Sequence, residues 1–246
     1  MQTQDDRRLW NVRALLESTA TPFTIADYGP RTAIFRQGDP CDSVMHIERG
    51  RVWLAVTARS GKEAICGLLG AGAFVGEEAL VGGGERRHSA TAMTATQVLV
   101  VTRANMVRLL RTQPRLQDGF IAHLLARNAR LEANVTDQIF HSSEQRLAHT
   151  LLVLANGDER LPRRAALPDL PQEIIAAMVG TTRSRVNVFM GKFKKLGFIE
   201  EHSGVLHINP ARLHVVPDGE RRRSLAASSA MPQAPDSEER HWPLAG

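Results

Sequence analysis

Between Pro171 and Ile199 the basic side chains Arg183, Arg185, Lys192, Lys194 and Lys195 stand against a single acid, Glu173. Such an excess suits an anionic partner, and the spacing says how it would be presented. Pro171 is placed to open a helix running to Val179, because its missing N–H would be unpaired there. Gly180 tolerates the left-handed conformation that ends a helix. Thr181 or Thr182 then offers a hydroxyl cap for a second helix, Arg183 to Phe193. Two short helices across a tight glycine turn predict a helix-turn-helix. In the second helix Val186, Phe189, Met190 and Phe193 are spaced to pack inward, which leaves Arg183, Ser184, Asn187 and Arg185 exposed near its N-terminal end, the part that meets base edges. An arginine can fork onto guanine O6 and N7, and an asparagine can pair with adenine N6 and N7. Lys192, Lys194 and Lys195 suit phosphates, which adds affinity without sequence preference.

A second cluster lies earlier. Ala73 to Leu80, followed by Gly82 to Ala92, resembles the phosphate-binding cassette of cyclic-nucleotide-binding domains. Gly76 would expose backbone N–H groups, Glu77 would accept from a ribose hydroxyl, and Arg86 or Arg87, beside Ser89, would neutralise a phosphate. Glu77, Glu78 and His88 are acid–base types, but no nucleophile, metal set or phosphate-transfer motif accompanies them, so no catalysis is expected. His88 or His46 could ligate haem, although a lone histidine is more often simply hydrogen-bonded. Cys41 and Cys66 lack the paired spacing of a metal site and are expected to be small core residues. No metal is expected.

The elements needed to position these clusters follow from the pattern. From Phe23 to Val101 short apolar runs alternate with turns such as Tyr28-Gly29-Pro30, Gln37-Gly38-Asp39 and Ser60-Gly61, the rhythm of an antiparallel barrel or sandwich. Val52, Leu54 and Val56 alternate with Arg51, Trp53 and Ala55, predicting one apolar face on that strand. After Pro114 the period changes. Leu116, Phe120, Ile121, Leu124, Leu125, Asn128, Leu131, Val135 and Ile139 recur at three- and four-residue steps along one stripe of a long helix. That stripe exceeds what a small barrel covers, so a second copy is expected on it, with Leu124, Leu131 and Val135 near the seam. A helix from Ser143 to Leu154 precedes the breaker-rich segment Asn156 to Pro168. Gly197 to Ile208 predicts a β-wing turning at His202-Ser203-Gly204.

The expected fold is therefore α+β: an N-terminal β-roll over residues 1–113, a long dimerisation helix over 114–141, a winged helix-turn-helix over 142–216, and a disordered tail over 217–246. The 246 residues are 43% hydrophobic and 23% charged, with a net charge of +5, which fits a globular chain with real cores. The longest apolar stretch, Ala64 to Gly76, is too short to span a bilayer, and the charges from Asp5 to Arg8 do not suit a secretory signal. A cytoplasmic location without membrane contact is expected.

Leu170-Pro171-Gln172-Glu173, Val179-Gly180-Thr181-Thr182-Arg183-Ser184-Arg185-Val186 and Lys195-Leu196-Gly197-Phe198-Ile199 resemble the motifs of the Crp/Fnr regulator family. Ile34 to Asp39 and Arg146 to Leu152 extend that resemblance. It implies a homodimer on a palindromic operator in double-stranded DNA, with RNA polymerase as a partner and Thr182, Arg183 and Ser184 against the operator. Val188 stands where well-known members carry a second base-reading arginine. Leu131-Glu132 replaces the Thr-Ser pair that faces adenine in cyclic-AMP responders, and Arg87-His88-Ser89-Ala90 interrupts their Arg-Ser-Ala. A cyclic nucleotide stays compatible with the roll, but the expected effector is something other than cyclic AMP. A nucleotide-binding module that regulates a kinase or channel would lack the segment from Pro171 to Lys195.

Overall fold

The computed structural model describes residues 11–82, 84–155, 165–202, 205–209 and 213. Helix α1 (Val12–Ser18) begins where Asn11 Oδ1 accepts the Ala14 N–H at 2.9 Å. Eight strands follow: β1 (Thr24–Tyr28), β2 (Ala33–Phe35), β3 (Ser43–Arg49), β4 (Arg51–Thr57), β5 (Glu63–Gly70), β6 (Phe74–Val75), β7 (Ser89–Ala92) and β8 (Thr96–Thr102). They form two antiparallel sheets, ordered β1-β8-β3-β6 and β2-β7-β4-β5. Ile47, Val52, Leu54, Val75, Ala90 and Val98 close the core of this roll.

Helix α2 (Arg103–Thr112) and the start of α3 (Pro114–Phe140) cover one face of the roll, where Met106, Leu109, Leu116 and Phe120 pack with Phe74, Leu99 and Val101. With 27 residues, α3 is on the order of 40 Å long. Leu116 and Phe120 are buried. Beyond them the stripe stands in the open: Ile121, Leu124, Leu125, Leu131, Val135 and Ile139 are all exposed in the single chain.

The rest is a second core. Helices α4 (Ser143–Ala155), α5 (Gln172–Val179) and α6 (Arg183–Lys195) gather Leu147, Leu151, Ile175, Val179, Val186, Met190 and Phe193. A three-stranded sheet of β9 (Ala165–Ala166), β10 (Ile199–His202) and β11 (Val205–Ile208), ordered β10-β11-β9, forms the wing. Ser203 and Gly204 of the expected turn, most of the expected breaker-rich segment (156–164) and the expected tail (217–246) lie outside the described residues.

Two departures from the sequence pattern concern the roll. Strand β4 was expected to bury one face, yet Val52, Trp53, Leu54 and Ala55 are all buried, and Val56 is exposed. Val52 and Leu54 fill the roll, while Trp53 and Ala55, with Met93, belong to the helical core. The strand is thus covered on both faces because the helical unit packs on the outside of its sheet. An indole of about 200 Å² removed from water can contribute up to about 5 kcal/mol to that docking. Cys41 is buried, but Cys66, on the edge strand β5, is exposed.

Arg51 pins the same junction. Its Nη1 and Nη2 donate to the carbonyls of Leu154 and Val153 at 2.7 and 3.1 Å, satisfying acceptors that the end of α4 leaves free. At the other end of α4, Arg146 donates through Nε to the Val179 carbonyl at 3.0 Å and through Nη1 to that of His141 at 2.7 Å.

Candidate functional site

The turn between α5 and α6 is set by local chemistry. Gly180 adopts the left-handed conformation (φ 69°, ψ 43°) and returns its N–H to the Ala176 carbonyl. Pro171 is the residue before the first turn of α5 and not its first helical residue, with ψ at 144°. Thr182 is the N-cap of α6, its hydroxyl accepting the Arg185 N–H at 3.4 Å.

Helix α6 is oriented by what it buries. Val186, Met190 and Phe193 are inaccessible, and Phe189 is half-buried. At 100° per residue the opposite face is centred on Ser184, Val188, Gly191 and Lys195, with Asn187 beside them and Arg183 and Arg185 on the two flanks. All seven are exposed. Arg183, Ser184, Arg185, Asn187 and Lys195 are therefore accessible on this side of the helix, with Thr182 at its start, while Lys192 and Lys194 lie toward α4 and the wing.

Their charges are not equally free. Arg183 Nη1 is 2.8 Å from Glu173 Oε1, with both side chains more than half exposed, a pair that water and salt weaken readily. Lys192 reaches Glu144 of α4 at 2.6 Å. Lys194 donates to Glu201 of the wing at 2.7 Å and holds that carboxyl below its ordinary range. Lys195 and Arg185 have no ion pair among the described residues, so their charges are more available to a phosphate than those of Lys192 and Lys194.

In the roll, Gly76 is left-handed (φ 80°) at the entry to a 3₁₀ turn, Glu77–Val81. A Cβ there would fall 2.4 Å from Arg86 Nη1, so a glycine is required for that close approach. Burial alternates from Arg86 to Ala92: Arg86, His88, Ala90 and Ala92 point inward, Arg87 is exposed and Ser89 is half-buried. Of the two arginines, Arg86 is the one that enters the roll. Its guanidinium donates to the Gly76 carbonyl at 3.2 Å and to the Ser43 carbonyl and hydroxyl at 2.9 and 3.1 Å, and it lies 4.4 Å from the Phe35 ring centre. Arg87 and Ser89, expected beside the same ligand, line a cavity of about 590 Å³ together with Arg86, Arg36, Thr57 and Glu85. The Ser89 hydroxyl accepts the Gln37 N–H.

The two carboxylates of the turn have separate partners. Glu77 pairs with Arg127 of α3. Glu78 lies 3.9 Å from Arg86 and 4.0 Å from His88, and burial lowers the His88 pKa. His46, packed 5.0 Å from Phe74, is pushed down to about 4 by burial and by the neighbouring His123. Leu131 is partly exposed on α3, and Glu132 accepts from Asn128 at 2.8 Å one turn earlier. The pairing of Arg127 with Glu77 had no signal in the sequence, since fifty positions separate them. The hydrogen bonds of Arg51 were likewise not anticipated.

Among the described residues, no helix is long and apolar enough to cross a membrane and no group of His, Cys, Asp and Glu is arranged to hold a metal.

Comparison with known proteins agrees with this two-part organisation. The cyclic nucleotide-binding domain family matches residues 26–113, and the Crp-like helix-turn-helix domain family matches residues 145–215. The cyclic AMP receptor protein of Thermus thermophilus is 30% identical over 184 residues, covering 73% of this chain and 81% of that protein. The CRP-like cAMP-activated global transcriptional regulator of Mycobacterium tuberculosis is 29% identical over 190 residues, covering 76% and 85%. The solved structure of the c-di-GMP responsive regulator CLP of Xanthomonas campestris shares the fold, with a TM-score of 0.69 at 20% identity, over 80% of this chain and 99% of that one. With a nucleotide-binding-type roll, a long helix and a helix-turn-helix in the order these relatives share, the chain belongs to the Crp/Fnr family of transcription regulators.

Proposed function

We propose that the chain binds a palindromic operator as a homodimer and regulates transcription there through contact with RNA polymerase, in the cytoplasm. The observation that carries this is the outward face of α6, whose base-reading types, Arg183, Ser184 and Asn187, are held clear of the protein by a glycine turn and a threonine cap. Thr182 and Arg185 extend that surface, and Lys192, Lys194 and Lys195 meet phosphates. The exposed row from Leu124 to Ile139 supports dimerisation, because a second α3 laid along it would remove those side chains from water. Two α6 helices related by a dyad would enter successive major grooves, about 34 Å apart. Selection of binding sites from random DNA by the full-length protein tests this. An enriched inverted repeat is expected, and the absence of any enriched sequence would overturn it.

The effector differs from that of the cyclic-AMP relatives. Glu77, the group suited to a ribose hydroxyl, is engaged by Arg127, and Arg86 is committed to the backbone at Gly76 and Ser43. Leu131 cannot hydrogen-bond a base, and an ionised Glu132 can only accept, so neither offers a donor to a ring nitrogen. A buried base acceptor without a partner costs about 1–3 kcal/mol. Arg87 and Ser89, which line one cavity with Arg36, Arg86 and Thr57, leave an anion-type recess for another small effector beside Gly76 and Glu77. Titration with cyclic AMP should leave operator affinity within threefold, and a tenfold or greater gain at micromolar ligand would refute the assignment.

A further inference from the structure

Val188 is the most exposed large apolar side chain of the described helical unit, 67% accessible against 49% for Leu196, 43% for Val205 and 38% for Val153. Single apolar residues on a surface need no explanation by themselves. This one lies in the middle of the outward face of α6, one turn after Ser184 and one before Gly191, between the hydrogen-bonding side chains of Asn187 and Arg185. Its position is fixed by Val186, Met190 and Phe193, which anchor the opposite face and leave the helix no freedom to rotate Val188 inward. Its β-branched side chain has a single strongly preferred rotamer in a helix, so the isopropyl group is already ordered.

We propose that Val188 is a base-reading residue whose isopropyl group packs on the 5-methyl group of a thymine in each half-site. The inference rests on the operator-binding assignment above and deepens it. Of everything displayed in the major groove, the thymine methyl is the apolar group, whereas guanine, cytosine and adenine offer donors and acceptors. Valine has no polar atom with which to satisfy them. Against a cytosine edge it would strip water from the N4 amine and return nothing, so the same side chain both favours thymine and disfavours cytosine. Gly191, one turn along the same face, supports a close approach. A Cβ built there meets nothing within 4 Å, so the helix beside Val188 is bare backbone and a groove wall can come nearer than it could over a side chain. The short reach of valine needs that proximity.

Replacing thymine by uracil deletes the methyl and keeps every hydrogen-bonding group, so it isolates this contact. With the operator obtained by selection, each thymine of both half-sites is exchanged for uracil in turn. Affinity is then measured for the full-length protein and for Val188→Ala and Val188→Ile. Burying one methyl is worth about fourfold in affinity, hence about fifteenfold over two half-sites. The expected result is one symmetric thymine at which uracil weakens wild-type and Val188→Ile binding by those factors and leaves Val188→Ala binding unchanged. Equal thymine-to-uracil ratios for wild type and Val188→Ala at every position would overturn the proposal. So would a fall in the melting temperature of Val188→Ala, which would make the residue structural. Failure to select any sequence would instead overturn operator binding itself, so the two failures are distinguishable.

Discussion

Arg183 and Lys195 differ in what holds them, and their substitution should separate base reading from phosphate attraction. Arg183 is held by an exposed pair with Glu173, which costs little to leave. Arg183→Ala is expected to lose about 1–3 kcal/mol of specific binding and to relax selectivity at one base pair, read by competition with single-base operator variants. Lys195→Ala should weaken all sequences alike and reduce the slope of log affinity against log salt by about 1. Lys194→Ala should change that slope less, because its charge is already shared with Glu201. A titrating residue makes a different test. His46 is neutral when folded, with a pKa near 4 against about 6.5 in the unfolded chain. Between those values the unfolded state binds more protons, so stability is complete above about pH 6.5 and is lost as pH falls toward 4, by roughly 2–4 kcal/mol. His123, also pushed down by burial, acts in the same direction. The pH dependence of chemical denaturation should show this fall, and His46→Gln should flatten it.

At the scale of elements, α3 carries two kinds of burial along one stripe. Its first turns are satisfied within the chain by Leu116 and Phe120, whereas Leu124, Leu131 and Val135 are exposed in the single chain, where the proposed dimer would cover them. Leu131→Asp is expected to convert dimers to monomers, since an unpaired carboxylate in a closed seam is costly. Sedimentation at micromolar concentration would show it, and an unchanged dimer would place the interface on another surface. The end of α3 is also joined to α4. Asp137 lies 3.0 Å from His141 Nδ1 and 2.7 Å from His149 Nδ1, so the bend between the two helices is bridged by one carboxylate.

Across the whole molecule, the roll and the helical unit share a core through Trp53, Ala55 and Met93, and Arg51 fastens the end of α4 to strand β4. Arg51→Ala would leave two carbonyls of α4 without their charged donor, a loss of about 1–3 kcal/mol. Hydrogen exchange should quicken in α4 and α5 and stay unchanged in β3 and β8. Uniform exchange in both units would mean that Arg51 does not hold the docking. Helix α3 touches the roll through Arg127 and Glu77 and meets α4 through Asp137, so it contacts both units.

The sequence by itself determined the helix-turn-helix, the long helix and the succession of short strands. Each depends on neighbours within about four residues: a glycine that accepts a left-handed turn, a threonine that caps, an apolar period of 3.6 or 2. Gly180, Thr182 and the inward set Val186, Met190 and Phe193 therefore stand where local rules put them. Tertiary structure alone decided the rest. Local spacing could not say which of Arg86 and Arg87 enters the roll, because both precede β7 and Arg86 is drawn in by the distant carbonyls of Gly76 and Ser43. The apolar face assigned to Val52, Leu54 and Val56 missed Trp53 and Ala55, because their cover comes from helices about a hundred residues later. Glu77 found Arg127, and Lys192 found Glu144, across similar gaps. Such partners are chosen by how packed elements bring distant surfaces together, and a pattern confined to near neighbours does not encode that distance.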